Sequence, residues 1–175
     1  MRYLEPDPVS QRRALIKAVA HPLYSEFANC EHFAVVDMTQ PSHKKRLALY
    51  YRGQLVDNYH VTHGVNSSNS SDSDYANKFS NTIMSKKSSL GAMKTGSVYY
   101  GKHGRSLRLH GLEKGINDNI YTRSIVIHSA RYASEDYVLQ NGKCGESWGC
   151  LAVSPSDSDN LIDKLKGGSY IYVHY

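Results

Sequence analysis

The sequence predicts a single, mostly β domain (β-rich α+β) with a few short helices. Short apolar runs bounded by turn residues recur along the chain, at lengths typical of strands. Tyrosine dominates the aromatic residues, with 14 Tyr against 3 Phe and 1 Trp, and it suits a strand face that is half exposed to water. The length of 175 residues is that of one domain. We expect one unit, 1–175, with an N-terminal helical segment, 1–30, and a core, 31–175.

Helical signals come first along the chain. Ser10 is a favourable N-cap for a helix over QRRALIKAVA (11–20), which ends before the following His-Pro pair. The apolar stripe of this helix is expected to consist of Leu15, Ile16 and Val19. A second short helix is predicted at PLYSEFAN (22–29).

Strand-like segments follow. An antiparallel meander of three strands is predicted at 33–38, 46–51 and 54–62. The polar run NSSNSSDS (66–73) has no apolar residue and predicts a solvated connection. Further strands are expected at 96–101, 106–110 and 124–128.

The last twenty residues predict one helix and one strand. Ser154 can cap the helix, Pro155 suits its first turn, and Asp157 complements the positive end of its dipole. Gly167-Gly168 ends the helix. The strand YIYVHY then closes the chain.

Composition excludes several classes of protein. Hydrophobic residues make up 40% and charged residues 21%, which is typical of a globular domain rather than a disordered chain. No apolar run is long enough to span a bilayer. The first twenty residues carry two prolines, a Glu and an Asp where a signal peptide needs an apolar stretch. The net charge of +5 suits an anionic partner without selecting nucleic acid, membrane or cell wall.

Cysteine chemistry is the strongest functional signal. Cys150 follows Gly149 in the small-residue turn GESWGC (145–150). The glycine permits close approach of a substrate, and the N–H groups of Trp148, Gly149 and Cys150 can point at a developing oxyanion. His128 ends the apolar strand SIVIH, and a Cys–His pair is the minimum for an activated thiol. Taken alone, a cysteine after a glycine is more often a small buried hydrophobe.

Four segments together resemble the murein L,D-transpeptidase catalytic domain family, a branch of the YkuD-type L,D-transpeptidases. They are SSLG (88–91), MKTGSVYYGKHGRSLRLHGLEKGINDN (93–119), RSIVIHSA (123–130) and GESWGCLAV (145–153). The resemblance implies an L,D-transpeptidase-like β-sandwich or barrel with a catalytic core over 31–175. It implies no cofactor, and peptidoglycan stem peptides rather than nucleic acid as partners.

Carried over by position, the resemblance assigns the catalytic roles. Cys150 is the nucleophile and His128 the base, while the backbone carbonyl of Ser129 orients the histidine. The N–H groups of Gly149 and Cys150, with that of Trp148, form the oxyanion hole. Ser147 matches the motif serine, with either a substrate-binding or a structural role in the turn.

The chain departs from the family pattern at three positions. Many relatives have Arg where Glu146 stands, Pro where Leu151 stands and a second His where Trp148 stands. Glu146 therefore puts acceptor preference in question.

Other polar residues have both a functional and a structural interpretation. His110 can line the cleft, and His103 less so, or either can be a structural histidine. Arginines that can hold substrate carboxylates, or simply lie in solvent, are Arg105, Arg108, Arg123 and Arg131. No zinc-site spacing is present. Cys30 and Cys144 can pair or remain free.

The resemblance implies attack on the diaminopimelate–D-Ala bond of tetrapeptide stems and formation of a thioester. Transfer to an amine gives cross-links or D-amino-acid exchange, and transfer to water gives L,D-carboxypeptidase activity. A papain-like protease is disfavoured because its cysteine precedes its histidine. A non-catalytic peptidoglycan-binding module is the other alternative.

Action in the periplasm or cell wall is expected, although no signal peptide is visible. Either the chain has been trimmed of its signal, or it leaves the cell by a different secretion route. The first case fits a housekeeping enzyme of cell-wall remodelling. The second fits an antibacterial effector toxin, for which a secretion apparatus and an immunity protein are the expected partners.

Overall fold

The computed structural model describes residues 4–69 and 71–175. The start of the predicted segment 1–30 and Ser70 of the predicted connection 66–73 therefore lie outside the described residues. Within the described part, the strands are β1 (His32–Asp37), β2 (Leu47–Tyr51), β3 (Gln54–Tyr59), β4 (Gly91–Gly101), β5 (Gly104–Gly111), β6 (Val126–Ser129), β7 (Leu151–Val153) and β8 (Tyr170–His174). The α-helices are α1 (Pro8–Ala20), α2 (Glu135–Asn141) and α3 (Pro155–Leu165). Short 3-10 helices cover Pro22–Phe27, Val65–Ser67 and Arg131–Ala133.

The strands form one eight-stranded sheet in the order β3-β2-β1-β8-β4-β5-β6-β7. The first three are an antiparallel meander, as the sequence predicted. The C-terminal strand β8 inserts between β1 and β4, parallel to β1 and antiparallel to β4. At the far edge, β6 and β7 run parallel, which places the residues at their ends side by side.

The sheet curls until the chain beyond one edge strand meets the other edge. After β3, the Thr62 N–H donates to the Ala152 carbonyl at 3.0 Å, and the Ala152 N–H donates to Thr62 Oγ1 at 3.2 Å. Gly64 then forms a parallel bridge with Ser147. The predicted mostly β fold with a curled, barrel-like sheet is confirmed.

Two apolar cores pack on the two faces of this sheet. The inner core joins side chains of β1, β2, β5, β6 and β7 with Leu161, Ile162 and Leu165 of α3. The outer core lies under α1, where Ala14 and Ala18 contact Phe33, Val35 and Tyr170. Alanine allows the helix to approach the sheet closely.

The prediction for α1 was wrong in two respects. Its N-cap is Asp7 rather than Ser10, since Asp7 Oδ1 accepts a 2.7 Å hydrogen bond from the Ser10 N–H. Ile16 and Val19 are 55% and 39% exposed, because the small residues face the sheet.

Other elements differ from the prediction in extent. β4 begins at Gly91, five residues before the expected start at 96, and it carries a bulge between Thr95 and Val98 that hides its alternation. The segment α2 and the strand β7 were not predicted. Ser67, in the expected solvated connection, is fully buried, and its Oγ accepts a 2.8 Å hydrogen bond from the Ser88 N–H. No helix among the described residues is long and apolar enough to cross a membrane.

Candidate active site

Cys150 and His128 line one cleft of about 420 Å³ at the β6–β7 edge of the sheet. His128 pairs with Ala152 across these two parallel strands, and Cys150 lies two residues before Ala152. Because side chains alternate along a strand, Cys150 and His128 lie on the same face. The parallel pairing thus brings two residues distant in sequence to the same face of neighbouring strands. The remaining walls of the cleft are Tyr99, Lys102, His103, Arg123, Ser124, Ile125, Val126, Tyr132, Glu146, Ser147 and Trp148.

His128 is held in one tautomer. Its Nδ1 lies 2.9 Å from the Ser129 carbonyl oxygen, and a carbonyl oxygen only accepts, so Nδ1 carries the proton. In the neutral ring, Nε2 is then left with its lone pair. Burial lowers the pKa of His128, and the hydrogen bond to Ser129 raises it. The charges of protonated His103 and of Lys102 lower it further. The imidazole is therefore a neutral base at pH 7.

Cys150 is partly exposed and at rest a thiol. Burial raises its pKa, although a backbone N–H of Val126 and the nearby Lys102 and Arg123 charges act in the opposite direction. The thiol donates a long hydrogen bond, 3.6 Å, to the Ser124 carbonyl. A neutral thiol beside a neutral imidazole requires proton transfer during attack, which is general-base catalysis.

The turn before Cys150 is fixed by Ser147. Its hydroxyl donates to the Cys150 carbonyl at 2.8 Å and accepts from the Gly149 N–H at 3.1 Å. The structure does not support the predicted use of the Gly149 N–H in the oxyanion hole, since this N–H already donates to Ser147 Oγ. The N–H groups of Trp148 and Cys150 have no hydrogen-bond partner within residues 4–69 and 71–175.

Gly149 is required by both its backbone and its surroundings. Its φ is +113°, a left-handed conformation that favours glycine. A Cβ at this position would lie 2.7 Å from the Lys87 carbonyl oxygen and 2.9 Å from Ile125 Cδ1. The cysteine loop therefore rests directly on the segment around Lys87.

Arg123 fixes that segment. Its Nη1 donates to the Ser80 carbonyl and Ser89 Oγ, both at 2.6 Å. Its Nη2 donates to Ser85 Oγ at 3.1 Å and the Lys87 carbonyl at 2.6 Å. Four of its five N–H groups are thus occupied. Arg123 lies in the cleft wall as predicted, but as a clamp on residues 80–89 rather than a free receptor for carboxylates.

The structure places three predicted substrate-binding residues outside the cleft. Arg105 forms ion pairs with Asp159 and Asp163 of α3. Arg108 lies over the ring of Tyr99, with its guanidinium carbon 3.9 Å from the ring centroid. His110 stacks on the ring of Tyr121 and lines a separate depression beside Gly167 and Gly168. The structure therefore does not support the predicted role of these three side chains in substrate binding, because contacts to α3, Tyr99 and Tyr121 already hold them.

A hairpin covers His128 and carries His103, for which the sequence predicted a place in the cleft only as the weaker alternative. Lys102 and His103 form the two-residue turn between β4 and β5. The His103 ring stacks on the His128 ring with centroids 4.1 Å apart. The flanking Gly101 and Gly104 signal a tight turn, but only the curl of the sheet brings the turn over the cleft.

The other two cysteines are free thiols that do not line the cleft. Cys30 donates to the Gly168 carbonyl, and the buried Cys144 donates to the Ser42 carbonyl at 3.2 Å. Burial raises the pKa of Cys144 to about 12, so this thiol is unreactive at neutral pH. Across the described residues, no cluster of three His, Cys, Asp or Glu side chains could hold a metal ion.

Comparison with known proteins gives one family. The family model of the L,D-transpeptidase catalytic domain matches residues 10–174. Among solved structures, an L,D-transpeptidase from Mycobacterium smegmatis is similar with a TM-score of 0.50 and 12% identity, over 83% of this chain and 59% of that one. An L,D-transpeptidase from Stackebrandtia nassauensis has a TM-score of 0.48 and 14% identity, over 94% and 66%.

The likeness to the mycobacterial structure shows a shared fold. The chain spans about 59% of the length of that protein. A search of curated protein sequences gave no significant match.

Proposed function

The chain belongs to the L,D-transpeptidase catalytic domain family, and on this premise we propose that it is a peptidoglycan L,D-transpeptidase with Cys150 as nucleophile. The observation that carries the assignment is the tautomer of His128. Its Nδ1–H is bound to the Ser129 carbonyl, so Nε2 is the basic nitrogen in the cleft that Cys150 shares. This arrangement is what deprotonation of a thiol by a general base requires.

The first half-reaction acylates the enzyme. Cys150 Sγ attacks the carbonyl of the diaminopimelate–D-Ala bond in a tetrapeptide stem, while His128 takes the thiol proton. The N–H groups of Trp148 and Cys150, to which no described residue is hydrogen-bonded, stabilise the oxyanion. His128 then gives its proton to the departing amine, D-Ala leaves and a thioester remains on Cys150.

The second half-reaction resolves the thioester. An amine gives a cross-link or an exchanged stem, and water gives a tripeptide by L,D-carboxypeptidase cleavage. Lys102 supports binding of the anionic donor, because it lies at the mouth of the cleft and has no salt bridge to a described residue.

The test uses purified tetrapeptide stems, with D-Ala release and product masses as readouts. The wild-type protein should release D-Ala, and Cys150→Ala should abolish release while keeping its melting temperature. Cys30→Ala is the matched control and should retain release. Turnover by a folded Cys150→Ala variant above a few per cent of wild type would refute the nucleophile. Tight binding of stems without any D-Ala release by the wild type would instead favour a non-catalytic binding module.

We place the action of the enzyme in the periplasm or cell wall, since that is where polymeric peptidoglycan lies. Expression in a Gram-negative host separates two roles. An effector toxin should be harmless in the cytoplasm and should lyse cells when fused to a secretory signal, in a manner that depends on Cys150. A housekeeping enzyme should be tolerated in both compartments and should raise the fraction of L,D-cross-links.

A further inference from the structure

Glu146 belongs to two neighbouring concavities. It lines the cleft of Cys150 and His128, and it also lines a depression of about 570 Å³ on the other side. The depression is otherwise formed by Val65, Asn66, Ser68, Asn69, Ser73, Lys78 and Lys87. We propose that this depression binds the acyl acceptor by its amino-acid end, an amine and a carboxylate on one carbon. The inference deepens the proposed transpeptidase function and rests on it.

The charged side chains of the depression complement such an end group, because the lysines can bind its carboxylate and Glu146 can bind its amine. Lys78 and Lys87 line the depression but not the cleft. Neither lysine has an ion-pair partner among the described residues. Of these three charged residues, Glu146 is the one that also lines the cleft of the thioester. A carboxylate on the lysines and an amine on Glu146 therefore place the amine nearer the reactive carbonyl. A free D-amino acid and the side-chain end of diaminopimelate share this chemistry.

Glu146 is anchored so that one oxygen remains for a ligand. Ser68 Oγ donates to Glu146 Oε1 at 2.6 Å, and His63 Nε2 lies 3.7 Å from the same oxygen. Neither contact uses Oε2. The carboxylate thus stays at the boundary of the two concavities instead of turning into solvent.

The buried side chain of Arg46 holds His63, the histidine next to Glu146. The Arg46 guanidinium is fully buried and donates to His63 Nδ1 at 2.8 Å. Because arginine only donates, the neutral His63 carries its proton on Nε2, toward Glu146. Burial and Arg46 lower the pKa of His63 to about 3, so the ring stays neutral. Among the described residues, no atom accepts a hydrogen bond from the buried His63 Nε2, and a small movement of Glu146 would provide an acceptor.

The aminolysis step balances as follows. The acceptor ammonium first loses one proton to solvent, and the amine donates one N–H to Glu146 Oε2. Its nitrogen attacks the thioester carbonyl, the C–S bond breaks and an amide forms. The second proton passes from the nitrogen to His128 Nε2 and then to Cys150 Sγ, which restores the thiol.

The experiment measures how the preformed acyl-enzyme partitions between aminolysis and hydrolysis. D-Methionine is compared with 3-(methylthio)propylamine, the same amine without the carboxylate. Glu146→Gln should lower the aminolysis-to-hydrolysis ratio about tenfold for both amines, the usual size of one charge-assisted hydrogen bond. Lys78→Met with Lys87→Met should lower the ratio for D-methionine alone, so that the two amines become equal. Glu26→Gln and Lys114→Met are the matched surface controls.

The outcomes separate this inference from the function on which it rests. Failure of the wild-type protein to release D-Ala from the donor would refute the transpeptidase function and, with it, the acceptor site. Normal release with an unchanged ratio in Glu146→Gln would refute the acceptor site alone. An equal loss for both amines in the lysine variant would also overturn it. The lysine variant changes surface side chains, and it tests the site even if Glu146→Gln unfolds.

Discussion

His103 should set the acid limit of activity through the charge it places beside His128. The two rings stack with centroids 4.1 Å apart, and the charge of His103 lowers the pKa of His128. Two unit charges about 4 Å apart interact by about 1 kcal/mol in water and about 4 kcal/mol at an effective dielectric constant of 20. His103 is exposed, so the lower figure applies.

The substitution His103→Phe keeps a stacked ring and removes the charge. The pKa of His128 should rise, and because only the neutral imidazole accepts the thiol proton, activity should be lost at a higher pH. We expect the acid limb of kcat/KM for D-Ala release to move to higher pH at low ionic strength, by an amount that the interaction of about 1 kcal/mol sets. The shift should shrink in high salt, which screens exposed charges.

The control is His110→Phe, at the histidine that stacks on Tyr121 away from the cleft. It should leave the acid limb where the wild-type protein has it. An unmoved or downward-shifted limb in His103→Phe would refute the electrostatic coupling of the two rings.

Three further substitutions test other parts of the site. His128→Ala should lose most D-Ala release and regain part of it at high pH, where the thiol ionises unaided; a flat pH profile would contradict the role as base. Gly149→Ala should lose activity and about 1–3 kcal/mol of stability in calorimetry, because its φ is +113° and the new Cβ meets the Lys87 carbonyl; wild-type melting would contradict the close approach. Arg123→Lys should lower the melting temperature and slow acylation, because one ammonium cannot replace four N–H donors to residues 80–89; full activity would show that the clamp is dispensable.

Local sequence signals predicted those elements whose residues determine them locally. The helix α3 has its cap, its proline and its terminal glycines within a short stretch, and the structure has it at Pro155–Leu165. The meander β1–β3 likewise follows from apolar runs and tight turns. In α1, by contrast, long apolar side chains suggested the wrong face, because close packing against the sheet favoured Ala14 and Ala18.

The sequence pointed to the candidate nucleophile and base, but it did not predict which other residues line the cleft. Taken alone, the glycine before Cys150 and the strand before His128 were weak signals, and the four family-like segments made these residues candidates for the pair that shares the cleft. Contacts between distant segments decided the rest: Arg105 faces α3, Arg123 is taken by residues 80–89, and the Lys102-His103 turn lies over His128. Such contacts depend on the curl of the sheet, and no local pattern encodes them.

The most direct test of the central claim uses a β-lactam, whose strained carbonyl is open to attack by an activated thiol. The protein is incubated with a carbapenem, its intact mass is measured, and the adduct is mapped by peptide mass spectrometry. Cys30 and Cys144 are internal controls, since all three cysteines are free and only Cys150 lies in the cleft with His128. We predict one adduct, on Cys150, which is lost in Cys150→Ala and slowed in His128→Ala. Modification of all three cysteines at similar rates would contradict the assignment of Cys150 as the activated nucleophile.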